Sequence, residues 1–297
     1  MTDEQTWQLE KFVSKEISIV YPRAYQAFIR ECLLYDVYRT DLLRCGDIVA
    51  DLGATVGEFT IKAAKKVGTD GLVIAIEPNP LDFELLRRNV ESNKCDNIIL
   101  VNKGVGSTST EKDISFRGRD FRAKIDTLGD ILKDTGLTHD IDFIKMDIEG
   151  AESEVAQVDI DILRMAEVIS VELHNTKNEL DNILEANGFV FEPLTAMYCI
   201  KKLVRNTLFS QPGYLINTVS NSIKRDPMIW YKLLLGQSEL EGYLTCPPST
   251  MDKITQDPTQ PHLLTGTYIQ KNSTRRHSRW QLTKNNLRKG AQNTLKN

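Results

Sequence analysis

Residues 47–60 of the chain read DIVADLGATVGEFT, and this stretch decides the fold. Residues 48–50 form a short apolar run that predicts a buried strand, which Asp51 and a glycine-containing turn bring to an end. Residues 58–67 then place apolar side chains at helical spacing. A strand, a glycine turn and a helix in this order are typical of one unit of a parallel α/β sheet.

The same alternation of apolar runs and amphipathic segments continues along the chain. The connections between the runs have the length of parallel crossovers. Further strands are predicted at residues 72–76, 98–101, 143–146 and 168–173, with an edge strand near 114–116. Further helices are predicted from the Asn79-Pro80 cap onward, at 128–132, at 151–163, and after Thr176, which forms a capping box with Glu179.

The chain closes its predicted sheet with a hairpin. Residues 189–191 and 197–203 are apolar and are joined by a turn at Pro193. We therefore expect a doubly wound α/β fold over residues 46–204, with a mostly parallel, Rossmann-like, seven-stranded sheet and an antiparallel closing strand. The flanking segments are predicted as a helical N-terminal extension (1–45), a partly helical C-terminal extension (205–257) and an irregular basic tail (258–297).

Composition limits the class of protein. The chain has 297 residues, of which 41% are hydrophobic and 26% charged, which is typical of a globular protein and excludes collagen-like and wholly disordered chains. The net charge of -4 conceals an asymmetry, because residues 205–297 contain thirteen Lys or Arg against five Asp or Glu. No acidic residue follows Asp257, and the tail has little apolar periodicity, so we expect it to be partly disordered.

Targeting and metal signals are few. The five cysteines are scattered, with no C-x-x-C pair and no histidine at metal-ligand spacing, which predicts reduced thiols and no cysteine–histidine metal site. No run of about 18 apolar residues occurs, and the N-terminus begins with acidic residues. We therefore expect a cytoplasmic protein that is neither exported nor membrane-spanning.

Polar residues at the carboxyl ends of the strands are the candidate ligand groups, because ligands of such sheets bind there. Gly53 and Gly57 would let a ligand approach the backbone and the first amides of the next helix. Their G-x-x-x-G spacing differs from the G-x-G-x-x-G of dinucleotide enzymes, which disfavours a nicotinamide dehydrogenase. Glu77 ends the second strand, where a carboxylate accepts ribose hydroxyls. Each feature alone is also compatible with a plain turn or a helix-start acid.

The chain resembles the FkbM-type family of S-adenosylmethionine-dependent methyltransferases over about residues 35–203. The matching stretches are residues 47–60, 76–80 (IEPNP), 102–107 (NKGVGS), 126–132 (DTLGDIL), 143–152 (FIKMDIEGAE) and 170–173 (SVEL). The resemblance implies a class I methyltransferase fold with S-adenosylmethionine as cofactor. The cofactor-binding residues it implies are Asp51, Gly53, Thr55, Gly57, Glu77, Pro78, Gly104, Val105 and Asp147. Such proteins commonly carry Asn where this chain has Thr55, which alters one expected contact.

The candidate catalytic residues are Asp147, Glu149 and His174, at the ends of the fourth and fifth strands. Methyl transfer needs a base only when the acceptor is a hydroxyl, and the ordinary pKa of histidine near neutrality makes His174 suitable. Two alternatives remain: His174 is a surface residue at a strand end, and Glu149 and Glu152 are first-turn acids that complement a helix dipole. Asp147, Glu149 and Glu172 would together form a magnesium site.

The sequence favours O-methylation of a sugar or other small-molecule hydroxyl. The alternatives are an RNA or DNA methyltransferase that uses the basic tail, and a non-catalytic cofactor-binding scaffold. The basic tail and an aromatic and leucine-rich run at residues 228–235 are compatible with a solvated tail beside a packing helix, with a nucleic-acid arm, and with contact with an anionic membrane surface, of which the last is the hypothesis adopted. On this hypothesis, truncation after Asp257 leaves the fold and cofactor binding unchanged and weakens association with anionic vesicles.

Overall fold

A computed structural model describes residues 7–116, 118–137, 140–194 and 264–270. Its strands are β1 (Leu9–Val13), β2 (Ser18–Pro22), β3 (Ile48–Leu52), β4 (Leu72–Ile76), β5 (Ile98–Val101), β6 (Gly104–Val105), β7 (Thr110–Phe116), β8 (Arg119–Asp126), β9 (Phe143–Met146), β10 (Val168–Leu173), β11 (Phe189–Pro193) and β12 (Leu264–Gln270). Its α-helices are α1 (Gln26–Arg30), α2 (Glu58–Val67), α3 (Pro80–Ser92), α4 (Leu128–Asp134), α5 (Glu152–Val158), α6 (Ile160–Leu163) and α7 (Lys177–Ala186).

Seven strands form the central sheet in the order β11-β12-β10-β9-β3-β4-β5. β12 runs antiparallel to both of its neighbours, and the other pairings are parallel. The predicted doubly wound sheet with an antiparallel strand is thus confirmed. Strand order reverses beside β3, which pairs with β4 on one side and with β9 on the other. The carboxyl edge at this reversal is where such a sheet binds its ligand.

Alternation along the strands divides the core into two layers. Val49, Val73 and Ala75 face a layer that contains α2, α3 and the N-terminal region. The intervening residues of the same strands, such as Ala50 and Ile74, face the opposite layer, which contains α4, α5 and α7. Burial of both faces explains why the strands are almost continuously apolar rather than alternating.

The closing strand corrects the sequence analysis. The strand that pairs with β10 and β11 is β12, from the segment predicted as an irregular tail, and not residues 197–203, which lie outside the described residues. Tyr268 of β12 is fully buried, its ring packs at 4.9 Å from Phe191, and its hydroxyl donates to Asp181 at 2.5 Å. The sequence of β12 is LTGTYIQ, in which a glycine and two threonines interrupt the apolar residues, so it predicts a strand only weakly.

The N-terminal region is not purely helical as predicted. It begins with the β1–β2 hairpin and continues through a 3₁₀ turn, α1, a π-helical turn (Glu31–Tyr35) and a second 3₁₀ turn (Thr40–Leu42). Asp36 and Arg39, between these turns, have left-handed backbones. Asp36 Oδ1 accepts from the backbone N–H of Thr40 at 3.1 Å and from Lys62 Nζ of α2 at 2.7 Å. These contacts fix the segment against the core rather than leaving it as a separate extension.

A second sheet, of order β6-β8-β7, replaces the single edge strand predicted near residues 114–116. The predicted helix at residues 151–163 is divided at Asp159, whose carboxylate accepts the backbone N–H groups of Leu128 and Gly129 at the start of α4. The predicted capping box at Thr176 is also wrong. The Thr176 hydroxyl donates to Glu152 Oε2 at 2.9 Å and does not cap α7.

Several expectations lie outside the described residues. These are the helical content of residues 205–257, the membrane-contacting run at 228–235, and the basic tail apart from β12. Contact with an anionic membrane therefore stays a prediction. Among the residues that are described, no helix combines the length and the apolar character needed to cross a bilayer.

The position of β12 reverses the expected effect of truncation. A chain that ends at Asp257 loses the strand between β10 and β11, together with buried Tyr268, so we expect it to lose cooperative folding. A chain that ends at Lys271 keeps β12 and serves as the matched control, with a wild-type thermal midpoint. Thermal unfolding followed by circular dichroism compares the full-length chain with the two truncated chains. A cooperative transition in the chain that ends at Asp257 would contradict the placement of β12.

Candidate functional site

A cavity of about 720 Å³ opens at the carboxyl edge of the central sheet, beside the reversal of strand order. Its size is that of sites for cofactor-sized ligands. The loops after β3, β4 and β9 line it, as do Glu172 of β10, the small sheet and the N-terminal region. The candidate site residues among these are Gly53, Thr55, Glu77, Pro78, Gly104, Val105, Asp147 and Glu149.

The glycine turn after β3 is held closely against β9. Gly53 has φ +78°, and a Cβ atom there would lie 2.0 Å from the carbonyl oxygen of Asp147. The backbone N–H groups of Gly53 and Ala54 both donate to the carbonyl of Ile76 at 3.0 Å. Glycine is therefore required at position 53 both for the turn and for its contact with the neighbouring strand.

Glu77 is fixed by backbone groups on both of its oxygens. Its Oε2 accepts from the N–H of Thr55 at 2.7 Å, and its Oε1 accepts from the N–H of Asn79 at 2.8 Å. Burial and the charge of Asp82 raise the pKa of Glu77 to about 8, against the opposing effect of these hydrogen bonds. Each carboxylate oxygen has a further lone pair, so Glu77 can still accept from a ligand in the cavity.

Thr55 has a left-handed backbone, with φ +51°. This conformation is unfavourable for a β-branched residue, and it is the conformation that turns the Thr55 N–H towards Glu77. Asparagine adopts it more readily. Threonine in place of the usual asparagine at position 55 therefore adds backbone strain at the edge of the cavity.

Lys145 is a buried cation beneath the cavity. Its Nζ donates to the carbonyl of Gly53 at 2.5 Å and lies 3.5 Å from Asp51 Oδ1 and 3.8 Å from Asp147 Oδ2. Burial opposes the charge, but the carboxylates of Asp51, Asp147 and Glu58 raise the pKa of Lys145 above its usual value. The ammonium group thus joins the β3 turn to the end of β9.

Asp147 faces the cavity from the end of β9 and is held by a residue of the N-terminal region. The Tyr38 hydroxyl lies 2.7 Å from Asp147 Oδ2 and 3.1 Å from Glu172 Oε2, between the ends of β9 and β10. Burial and the two carboxylates raise the pKa of Tyr38 well above its usual value, so it remains a donor. Tyr38 therefore fixes the orientation of the Asp147 carboxylate.

His174 lies behind these carboxylates rather than in the wall of the cavity. Its Nδ1 is 2.9 Å from Oε1 of the fully buried Glu152, and its Nε2 is 3.4 Å from Glu149 Oε2 and 3.8 Å from Asp147 Oδ1. Burial opposes protonation, but the hydrogen bond with Glu152 and the three negative charges raise the pKa of His174 to about 9. The ring is thus an imidazolium at neutral pH and lacks the free lone pair of a general base.

Seven of the nine cofactor-binding residues implied by the resemblance line the cavity, and two do not. Asp51 is fully buried, and its carboxylate is committed to Lys145 and to the Thr60 hydroxyl, which donates at 2.5 Å. Gly57 lies against Leu86, whose Cδ1 would be 2.6 Å from a Cβ atom at position 57. Both residues shape the turn from behind instead of reaching a ligand.

The carboxylates considered for magnesium do not form one cluster. Asp147, Glu149 and His174 place their ligand atoms within 4.8 Å of one another, whereas Glu172 accepts from Tyr38. Magnesium prefers an octahedral shell of oxygens, whereas this group offers two carboxylates and an imidazole nitrogen. The residues present therefore do not fit magnesium.

Three site residues were missed by the sequence analysis. Tyr38 lies in irregular sequence, and no pattern points to it. Lys145 did carry a signal, because a lysine within the short apolar strand FIKM must be paired if the strand is buried. Glu58 lines the cavity from the start of α2, whereas the sequence pattern predicts it only as the first residue of a helix.

Residues 51–191 match the family model described as the methyltransferase FkbM domain. The chain contains an FkbM methyltransferase domain. All of β3 except its first three residues, and the strands from β4 to the middle of β11, lie within the match, whereas Tyr38 and β12 lie outside it. The FkbM domain thus accounts for most of the cavity wall, and flanking segments complete the wall and the sheet.

Three solved structures that are similar to parts of this chain are distant from it in sequence. The methyltransferase FkbM from Methylobacillus flagellatus KT has 22% identity and a TM-score of 0.42, over 54% of this chain and 44% of that one. The precorrin-6y C5,15-methyltransferase from Geobacter metallireducens GS-15 has 17% identity and a TM-score of 0.39, over 62% and 78% of the two chains. TYW2 from M. jannaschii, in complex with AdoMet, has 16% identity and a TM-score of 0.39, over 66% and 80%. None of the curated proteins matches the chain.

The cavity of the FkbM domain fits S-adenosylmethionine. Glu77 lines it at the end of β4, where a carboxylate is suited to accept from a ribose, and Pro78, Gly104 and Val105 line the cavity nearby. Glu58, at the start of α2, also lines the cavity, and its buried Oε2 has no hydrogen-bond partner among the described residues. The acidic groups present are therefore compatible with a ligand that carries hydroxyl groups and a positive charge, as S-adenosylmethionine does.

The His174 cluster predicts a pH-dependent contribution to stability. Because its pKa is about 9 in the folded chain against 6.5 for the free side chain, protonated His174 stabilises the fold below pH 6.5, and the effect is lost as pH rises through 9. The shift corresponds to about 3 kcal/mol. Denaturant unfolding of wild type and His174→Gln should show their free-energy difference shrinking by about this amount between pH 6.5 and 9.5. A difference that does not change with pH would contradict the assignment.

Relief of strain at position 55 should stabilise the FkbM domain. Thr55→Asn keeps the N–H that bonds Glu77 and removes the β-branch from a left-handed backbone, so we expect a gain of about 1 kcal/mol. Thr110→Asn, at an exposed position of β7, is the control that should bring no gain. Equal or lower stability of Thr55→Asn in denaturant titration would show that the backbone of Thr55 is not strained.

Proposed function

We propose that this protein methylates a hydroxyl oxygen of an uncharged sugar or other small molecule, with S-adenosylmethionine as donor. The observation that carries the proposal is the Asp147 carboxylate, which lines the cavity while Tyr38 and Lys145 hold it from behind. Such a group is what the methylation of a hydroxyl requires and what the methylation of a more nucleophilic atom does not.

The charge of the cavity narrows the acceptor class. Two basic residues, Lys103 and Lys112, are among its described lining residues, and Lys103 already pairs with Asp126 and Asp134. Nine acidic residues line the same cavity: Glu31, Glu58, Glu77, Asp82, Asp113, Asp147, Glu149, Glu154 and Glu172. This excess of negative charge repels phosphate groups and favours a neutral acceptor over a nucleic acid.

Asp147 has the role of general base in this proposal. Its carboxylate takes the proton of the acceptor hydroxyl while the oxygen attacks the methyl carbon. When bound, S-adenosylmethionine supplies a sulfonium methyl group, whose bond to sulfur breaks as the bond to oxygen forms. Tyr38 and the imidazolium of His174 keep the carboxylate in place, and the walls of the cavity align the two reactants.

The positions of Asp147 and His174 predict how strongly the loss of each side chain lowers the rate of methyl transfer. Asp147 reaches the cavity directly, and its side chain is 22% exposed, whereas His174 acts through Asp147 and Glu149. Loss of a general base typically lowers the rate by about 10² to 10⁴-fold. Loss of His174 removes a charge that positions the base, so its effect should be smaller.

A labelled-methyl assay tests the proposal. Wild type, Asp147→Asn and His174→Gln are incubated with methyl-labelled donor and fractionated cell extract, and the labelled product is treated with glycosidase, nuclease or protease. We expect a small, nuclease-resistant product, with incorporation reduced about 10² to 10⁴-fold in Asp147→Asn and less in His174→Gln. Binding of S-adenosylhomocysteine to each variant, measured by calorimetry, is the control for intact cofactor sites.

The other function classes give different outcomes in the same assay. Label that nuclease releases would indicate a nucleic-acid methyltransferase. Cofactor binding without incorporation into any fraction would indicate a non-catalytic scaffold. Full activity of Asp147→Asn would show that the base is misplaced even if methyl transfer occurs.

A further inference from the structure

Glu58 is a buried acidic side chain that the mechanism above does not use. It is the first residue of α2, directly after Gly57, and its side chain forms part of the cavity wall. It is only 7% exposed, and its Oε2 has no hydrogen-bond partner within the described part of the chain. A buried polar atom of this kind is costly unless a ligand satisfies it.

No described basic side chain forms an ion pair with Glu58. The neighbouring cation, Lys145, is committed to Gly53, Asp51 and Asp147. Burial raises the pKa of Glu58 to about 7, and the charges of Asp51 and Asp147 act in the same direction, against Lys145 and the backbone N–H of Glu58 itself. A ligand that brings a positive charge would restore the ionised form and satisfy Oε2.

The position of Glu58 indicates which ligand group it faces. Glu58 directly follows the turn at residues 53–57, Glu77 accepts from the N–H of Thr55 within that turn, and both side chains line the same cavity. A donor whose ribose is held by Glu77 extends along the turn towards the start of α2. The far end of S-adenosylmethionine is an amino acid, whose ammonium group is a triple hydrogen-bond donor.

We propose that Glu58 binds the α-ammonium group of the methyl donor. This inference rests on the proposed function, because it takes S-adenosylmethionine as the ligand. The contact depends on the opposite charges of the Glu58 carboxylate and the ammonium group, and not only on how well the ligand fits the cavity. It also explains why Oε2 of a carboxyl group is buried at a helix start without a hydrogen-bond partner among the described residues.

Three ligands distinguish the contact between Glu58 and the α-ammonium group from the other contacts of the cofactor with the site. S-adenosylhomocysteine carries the ammonium group, its deaminated analogue has hydrogen in that place, and 5′-methylthioadenosine lacks the whole amino-acid portion. Calorimetry measures their Kd values for wild type, Glu58→Gln and Glu58→Asp. Glu154→Gln removes one exposed charge from the mouth of the same cavity and is the matched control for general electrostatics.

We expect wild type to bind S-adenosylhomocysteine about tenfold to hundredfold more tightly than the deaminated analogue. In Glu58→Gln this ratio should fall towards one, and in Glu58→Asp it should be intermediate. Binding of 5′-methylthioadenosine should be the same in all of these proteins. The Glu154→Gln control should keep the wild-type ratio.

Results that contradict the role of Glu58 differ from results that contradict the proposed function. Wild type that binds both homocysteine ligands equally, as expected if Glu58 instead serves an amine of the acceptor, would overturn the inference and leave the proposed function standing. An unchanged ratio in Glu58→Gln would do the same. If Glu58→Gln does not fold, the ratio in Glu58→Asp decides between these results. Failure of wild type to bind any of the three ligands would overturn the proposed function together with the inference.

Discussion

The structure of the site depends on one buried positive charge, the ammonium group of Lys145. It bonds the carbonyl of Gly53 and lies between Asp51 and Asp147, so it joins the turn after β3 to the end of β9. Without it, fully buried Asp51 would be an uncompensated charge, which typically destabilises a protein by about 3–5 kcal/mol. The glycine turn and the proposed base therefore belong to a single electrostatic unit.

Backbone strain is concentrated around this unit. Three non-glycine residues with left-handed backbones, Thr55, Glu149 and Asn175, closely follow the ends of β3, β9 and β10. Two more, Asp36 and Arg39, flank in sequence Tyr38, whose hydroxyl contacts Asp147. Strain of this kind persists only where surrounding contacts enforce it, and it is common at functional sites. The central strands themselves are regular, so the sheet serves as the rigid support.

Much of the fold was predictable because it rests on local periodicity. The bounds of β4, β5, β10 and α2 agree with the apolar runs, since strands buried on both faces have few alternatives. The approach of Tyr38 to Asp147 was not predictable, because 109 positions separate the two residues and no periodic signal connects them. Likewise, sequence gives His174 an ordinary pKa near neutrality, and only its distance to Glu152, Glu149 and Asp147 shows that it is a cation.

The insertion of β12 has a consequence for how the chain folds. β12 occupies the place between β10 and β11, yet residues 194–263 separate it from β11. Until synthesis reaches residue 270, the edge of β10 has no partner on that side, and an unpaired strand edge is a template for aggregation. Pairing between segments so far apart in sequence is also slow. The edge of β10 that β12 covers is therefore the last part of the central sheet to be completed.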